Sequence, residues 1–266
     1  MKIQIDNGFL EYETQGTGIP LLFIHGYPLS RQIWRPQIEG LSVHVLSIAV
    51  DLRGHGGSFP FEGPYTMDLL AEDCHQILDS LQLHRPVLIC GLSMGGYVVF
   101  ALYRKYPDLF MGMILTSTRP GADSPEGVAN RKAAINNALE HGAGFIADGM
   151  LQKIVSPGTL SSKPDLVKTI HKIMADTSVQ GIVGASQGMM MRPDSTTLLP
   201  QISCPVLIVH GTDDQIIPLR EAEMMHQLIP HSHLVKITEA GHLLNLEQPE
   251  IFNQAILDFI SSTDQS

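Results

Sequence analysis

The chain has 266 residues, 44% of them hydrophobic and 17% charged, which is enough for one sizeable core with or without an insertion. Its formal net charge of −10 argues against nucleic acid as a partner. No uninterrupted run of about 18 apolar residues is present, so no membrane span is expected.

In chain order, Met1 to Asp6 alternates and reads as a strand rather than a signal peptide. Asn7-Gly8 is a hairpin turn between strands expected over 2–6 and 9–14. Pro20 to Ile24 is a continuous apolar run, as in a strand buried on both faces, and it stops at His25-Gly26-Tyr27-Pro28. Ile33, Trp34, Ile38 and Leu41 are spaced for one helix face. A second apolar run, Val43 to Val50, ends in Asp51-Leu52-Arg53-Gly54-His55. Thr66 suits the N-cap of a helix carrying Met67, Leu70, Cys74, Ile77, Leu78 and Leu81 on one side. A short apolar strand run from Val87 that ends in Gly91-x-Ser93-x-Gly95, a helix ending before Pro107 and a strand over 111–115 follow. Buried runs alternating with amphipathic helices predict a parallel sheet covered on both faces. In such sheets sites form at the carboxyl ends of the strands, so the loops starting at His25, Asp51 and Gly91 should share one rim.

Residues 119–200 break that rhythm. Four helical stretches are expected there, near 127–141, 143–155, 163–175 and 178–191, with Lys163-Pro164 as a helix start. The block reads as a helical cap inserted into a core of 1–118 and 201–266. Met150, Met189, Met190 and Met191 could line a pliable apolar pocket or fill the cap's own core. The sheet resumes over 205–209, followed by a helix over 219–228, a strand over 234–237 and a last amphipathic helix with Ile251, Phe252, Ala255, Ile256, Phe259 and Ile260. The tail from Ser261 reads as frayed. Cys90 and Cys204 lie within or beside strand runs, and the cysteine count of three is odd. Buried, reduced thiols in a cytoplasmic protein are the expected state.

The chemistry centres on Gly91-Leu92-Ser93-Met94-Gly95-Gly96. A strand running through Gly-x-Ser-x-Gly into a helix forces a sharp turn, and the flanking glycines keep side chains from colliding. Serine is a weak nucleophile and needs a base, which imidazole supplies near neutral pH. The imidazole needs a carboxylate to fix its tautomer. Candidates for all three roles follow strands, in the order Ser93, an aspartate at 213 or 214, and His242.

That order and the surrounding motifs resemble the α/β-hydrolase-fold serine hydrolases. The likeness is greatest to small carboxylesterases and cofactor-free haloperoxidase-like enzymes, with enol-lactone hydrolases close by. The resemblance implies an α/β fold with a mostly parallel, eight-stranded sheet and a helical cap. It places the acid of Gly211-Thr212-Asp213-Asp214 at Asp214, leaving Asp213 to satisfy backbone N–H groups in the turn. It also implies an oxyanion hole from the backbone N–H groups of Tyr27 and Met94. Serine at position 93 separates the chain from epoxide hydrolases and haloalkane dehalogenases, which use aspartate there. Ester cleavage through an acyl-enzyme is expected, on small to medium uncharged substrates, with lactone opening or perhydrolysis as alternatives on the same triad. A small-molecule receptor on this fold is the alternative of another class. No metal or cofactor is implied. His25, His210 and the Asp51-Arg53-His55 turn read as loop braces, His231 and His233 as a surface pair, and no oligomeric state is written in the sequence.

Overall fold

The apolar runs form the middle of one eight-stranded sheet in the computed structural model, which describes residues 1–83 and 86–263. The strands are β1 (Lys2–Ile5), β2 (Gly8–Gln15), β3 (Ile19–Ile24), β4 (Val45–Val50), β5 (Val87–Leu92), β6 (Phe110–Thr116), β7 (Val206–Gly211) and β8 (Ser232–Ile237). Their spatial order is β1-β2-β4-β3-β5-β6-β7-β8. β1 and β2 join antiparallel because the turn at Asp6 and Asn7 is too short for a crossover, and β2 is antiparallel to β4. The remaining pairs are parallel.

The buried runs are continuous because alternate residues of each strand feed opposite faces. Leu22, Ile24, Ile89, Leu115 and Ile208 point into one core with Leu70, Ile77, Val98 and Leu102. These come from α2 (Met67–Ser80) and α3 (Met94–Lys105), which follow α1 (Arg35–Gly40) in the chain. Leu21, Phe23, Cys90, Ile114 and Val209 point into the other core with Trp34, Phe252, Ile256 and Phe259. Thr66 caps α2 as expected, accepting from the Leu69 N–H at 3.2 Å.

Five helices, not four, separate β6 from β7: α4 (Pro125–His141), α5 (Ala143–Ile154), α6 (Pro157–Ser162), α7 (Pro164–Ala175) and α8 (Val179–Met190). The extra one, α6, begins at a proline and is capped by Ser156, whose hydroxyl accepts from Thr159 N–H. α8 lies backbone to backbone on the segment after β4. A Cβ at Gly188 would collide with the Tyr65 carbonyl, and one at Gly181 with the Gly54 carbonyl. Ser178 donates to Gly54 O at 2.7 Å, and Tyr65 N–H donates to Gly184 O at 2.9 Å. Met189 joins the core beneath α8 while Met191 stands in solvent. After β7 come α9 (Leu219–Leu228), α10 (Leu244–Glu247) and α11 (Pro249–Thr263). No helix of the described residues is long and apolar enough to cross a membrane.

Several boundaries differ from expectation by a few residues, and three of them have a visible cause or consequence. β4 starts at Val45, because Val43 and His44 turn out of α1 and Val43 is 75% exposed. β8 starts two residues earlier than expected, at Ser232, where it meets Val206 of β7. α11 continues through Thr263, so only residues 264–266 of the expected frayed tail lie outside the described residues.

The loop after β4 is fixed by buried charge. Arg53 holds both Asp73 oxygens, Nε to Oδ2 at 2.6 Å and Nη2 to Oδ1 at 2.7 Å, and reaches Asp6 in the hairpin turn at 3.0 Å. Both Arg53 and Asp73 are buried. Arg53→Met is therefore expected to destabilise the fold by about 3–5 kcal/mol in urea unfolding, because it strands a buried carboxylate. Arg53→Met combined with Asp73→Leu should recover most of the loss.

Candidate active site

The strand order reverses direction at β3. Its chain continues to β4 on one side, and β5 enters on the other. The crevice beyond β3 and β5 is the topological switch point. Ser93 sits there at φ 55°, ψ −113°, a left-handed backbone that a non-glycine residue holds only when its surroundings impose it. The surroundings here are specific. Ser93 N–H donates to Thr116 O at 2.9 Å, and Thr118 Oγ1 donates to Ser93 O at 2.8 Å. Gly95 lets the first turn of α3 touch the end of β3, where a Cβ would strike the Ile24 carbonyl. Gly26 lies against Ser93, with its missing Cβ 3.1 Å from the serine Cβ. Among the described residues, the backbone N–H groups of Tyr27 and Met94 meet no protein acceptor.

Asp214 and His242 meet after β7 and β8. His242 Nδ1 lies 2.8 Å from Asp214 Oδ2, and both side chains are at most 3% exposed. The other carboxylate oxygen accepts the N–H groups of Ile216 at 2.8 Å and Ile217 at 3.0 Å. Burial disfavours the charged form, but His242 and these two N–H groups outweigh it and hold the Asp214 carboxyl below its ordinary range. An ionised Asp214 requires His242 Nδ1 to be the donor, which leaves Nε2 as the free ring nitrogen. His210 braces the same turn, donating from Nε2 to Ile217 O at 2.9 Å. Asp213 is exposed and takes the Thr212 hydroxyl at 3.1 Å, so the turn's backbone N–H groups belong to Asp214 rather than to Asp213 as expected. Ser93 Oγ has no hydrogen bond to His242 or to any other described group. The structure thus joins two of the three predicted side chains directly and leaves the serine hydroxyl open.

The alpha/beta hydrolase family matches residues 21–255. The chain belongs to that family. A thermophilic esterase from Thermogutta terrifontis, solved with malate bound, shares 40% identity over 96% of this chain and 94% of its own, with a TM-score of 0.94. The enol-lactonase from Burkholderia xenovorans shares 25% identity over 98% of this chain and 100% of its own, with a TM-score of 0.91. A 3-oxoadipate enol-lactonase of Acinetobacter baylyi is 29% identical over 89% of this chain and 86% of its own.

Two further groups of residues shape the rim of this alpha/beta hydrolase. Glu247 was not singled out in the sequence, although an acid closing the run Leu243-Leu244-Asn245-Leu246 was the available signal. It is fully buried. Its Oε1 accepts Gly241 N–H at 2.9 Å, beside His242, and its Oε2 accepts Ser156 N–H at 2.8 Å, at the junction of α5 and α6. One carboxylate therefore ties the histidine loop to the helical block. Glu247→Ala leaves two buried N–H groups without an acceptor and is expected to lose about 2–4 kcal/mol in thermal or urea unfolding.

On the other side, His25 Nε2 accepts Leu52 N–H at 3.0 Å while Nδ1 donates to Gly26 O at 2.8 Å, a pairing that only the neutral ring can make. Burial pushes its pKa down to about 4. His55, with its ring centroid 5.1 Å away, is pushed down to about 3 by burial and then by His25. In the unfolded chain both bind protons near 6.5. The unfolded state therefore binds more protons below that pH, and folding stability falls with acid. Each histidine's contribution is complete above pH 6.5 and is lost down to about 4 or about 3, at up to about 1.4 kcal/mol per pH unit. Asp51 and Asp73, raised by burial, act in the opposite sense. The readout is thus the difference between wild type and His55→Asn, whose urea midpoint should depend less steeply on pH between 6.5 and 4.5.

Proposed function

We propose that this protein hydrolyses small to medium carboxylic esters through a serine acyl-enzyme. The observation that carries the reading is the buried Asp214–His242 pair at the sheet edge that also bears the strained Ser93. In this reading Ser93 Oγ attacks the substrate carbonyl and His242 Nε2 takes its proton. The carbonyl oxygen becomes an oxyanion held by the N–H groups of Tyr27 and Met94, each worth roughly 2.7–4 kcal/mol in the transition state. His242 then gives its proton to the departing alcohol. Water, deprotonated by His242, attacks the acyl-enzyme, and the acid leaves as Ser93 recovers its proton. Asp214 stays ionised throughout, fixing the imidazole tautomer and stabilising the imidazolium.

The likeness to enol-lactonases favours lactone opening as a second reading on the same triad, since a lactone is a cyclic ester. Perhydrolysis would replace water with peroxide in the second step. Three free cysteines, two of them fully buried, support a reducing, cytoplasmic setting.

Ser93→Ala is expected to lower kcat for a p-nitrophenyl ester by a factor on the order of 10⁴ or more, with the fold intact. A fluorophosphonate should label wild type and not this variant. Undiminished turnover by Ser93→Ala would discard the mechanism. Labelling of wild type without repeated turnover of esters or lactones would favour a receptor on the same fold.

A further inference from the structure

Beside the oxyanion loop lies an open cavity of about 220 Å³, lined by Tyr27, Arg119, Asp123, Arg131 and Ser186 among others. Its charge is unusual for this chain. Three guanidinium groups converge on the single Asp123 carboxylate: Arg119 Nη2 and Arg192 Nη1 each at 2.9 Å from Oδ1, and Arg131 Nε on Oδ2. The Asp123 side chain is 1% exposed. One carboxylate neutralises one of the three cations. Arg192 is spent at the rear, bonded to the carbonyls of Met189 and Gly121 and within the field of Asp194. Arg119 and Arg131 remain to face the cavity, on a protein whose net charge is −10.

A second observation is independent of charge. The hydroxyls of Tyr27 and Ser186 lie buried beside each other in the same lining, within reach of one another, and neither completes a hydrogen bond to any other group. Two buried hydroxyls that have only each other leave at least one O–H without an acceptor, which marks a place for something that accepts hydrogen bonds. The cavity also begins close to the chemistry. Tyr27 is the residue whose backbone N–H serves the oxyanion in the proposed mechanism. Arg119 follows Thr118, whose hydroxyl holds the Ser93 carbonyl at 2.8 Å.

We infer that this cavity seats a carboxylate carried by the substrate, so that the preferred esters or lactones bear an acid group a few bonds from the scissile carbonyl. A carboxylate there would take charge-assisted hydrogen bonds from Arg119 and Arg131 and neutral ones from Tyr27 and Ser186. The inference rests on the ester-hydrolase reading and replaces the uncharged substrate expected from the sequence with one that carries an acid group.

The test compares two p-nitrophenyl esters of matched length, the half-ester of glutaric acid and the ester of pentanoic acid. Wild type should favour the half-ester in kcat/KM by roughly tenfold, the worth of one charge-assisted hydrogen bond, and the preference should shrink with added salt. Arg131→Gln should bring the ratio of the two substrates toward one, and Arg131→Lys should restore part of it. Free glutarate should compete with the neutral ester on wild type better than the uncharged glutaramide, a comparison that needs no variant. A wild-type ratio near one, or an Arg131→Gln variant that lowers both substrates by the same factor, overturns the inference and leaves the esterase reading standing. Turnover of neither substrate by wild type overturns both.

Discussion

Everything at this site depends on one close approach, that of the first turn of α3 to the end of β3. Gly95 makes it possible, because any Cβ there would meet the Ile24 carbonyl. The approach does two things at once. It holds Ser93 in a backbone conformation that its own side chain disfavours. It also brings the helix N-terminus, with its unpaired N–H of Met94, alongside the loop that presents the N–H of Tyr27. A looser contact would relax the serine and separate the two donors together. The strain is supported by the parallel ladder from β3 to β7, whose interior residues are almost wholly buried.

The rim is then locked by carboxylates that accept from backbone N–H groups. Asp214 binds two N–H groups of its own turn before it binds His242. Glu247 binds one N–H next to His242 and one in the helical block. Such bonds need no partner side chain to be ordered, so they fix loops at little entropic cost. They also set protonation. Asp214 is kept ionised by what it accepts, whereas His25 and His55 are kept neutral by burial. The same rim thus holds one imidazole beside a buried negative charge and two others that cannot readily take up a proton.

Much of the fold was legible in the sequence, because a parallel sheet buried on both faces writes itself as runs such as Leu21 to Ile24 and Val87 to Cys90. The switch from runs to helical periodicity likewise marked the stretch between β6 and β7. What was not legible depended on contacts between distant segments. α6 is too short to show a period, and its start is fixed by Pro157 and the Ser156 cap. Glycine disfavours a helix interior, yet the glycines at 181, 184 and 188 let α8 lie on the backbone around Gly54 and on Tyr65. Glu247 carries no motif of its own, and its role appears only where Gly241 and Ser156 converge on it. Residue types alone leave aspartates 213 and 214 as equal candidates, and it is the family's Gly-x-x-Asp turn that picks Asp214. In the fold Asp214 is the carboxylate that turns inward onto His242.

The distribution of ion pairs separates structure from recognition. In a chain with 27 acids and 17 lysines and arginines, cations are scarce, and two of the arginines outside this cluster each serve more than one acid. Arg31 serves Glu11, Glu13 and Asp51. Arg53 serves Asp73 and Asp6. Around Asp123 the ratio inverts, with three arginines on one acid. Folding alone does not require that arrangement, since one bidentate arginine satisfies a buried carboxylate, as Arg53 does for Asp73. Crowding like charges also raises the energy of the free protein. An anion entering the cavity would relieve that repulsion and give the buried hydroxyl pair of Tyr27 and Ser186 an acceptor. The cost of the inverted ratio in the empty site is what a charged substrate would offset on binding.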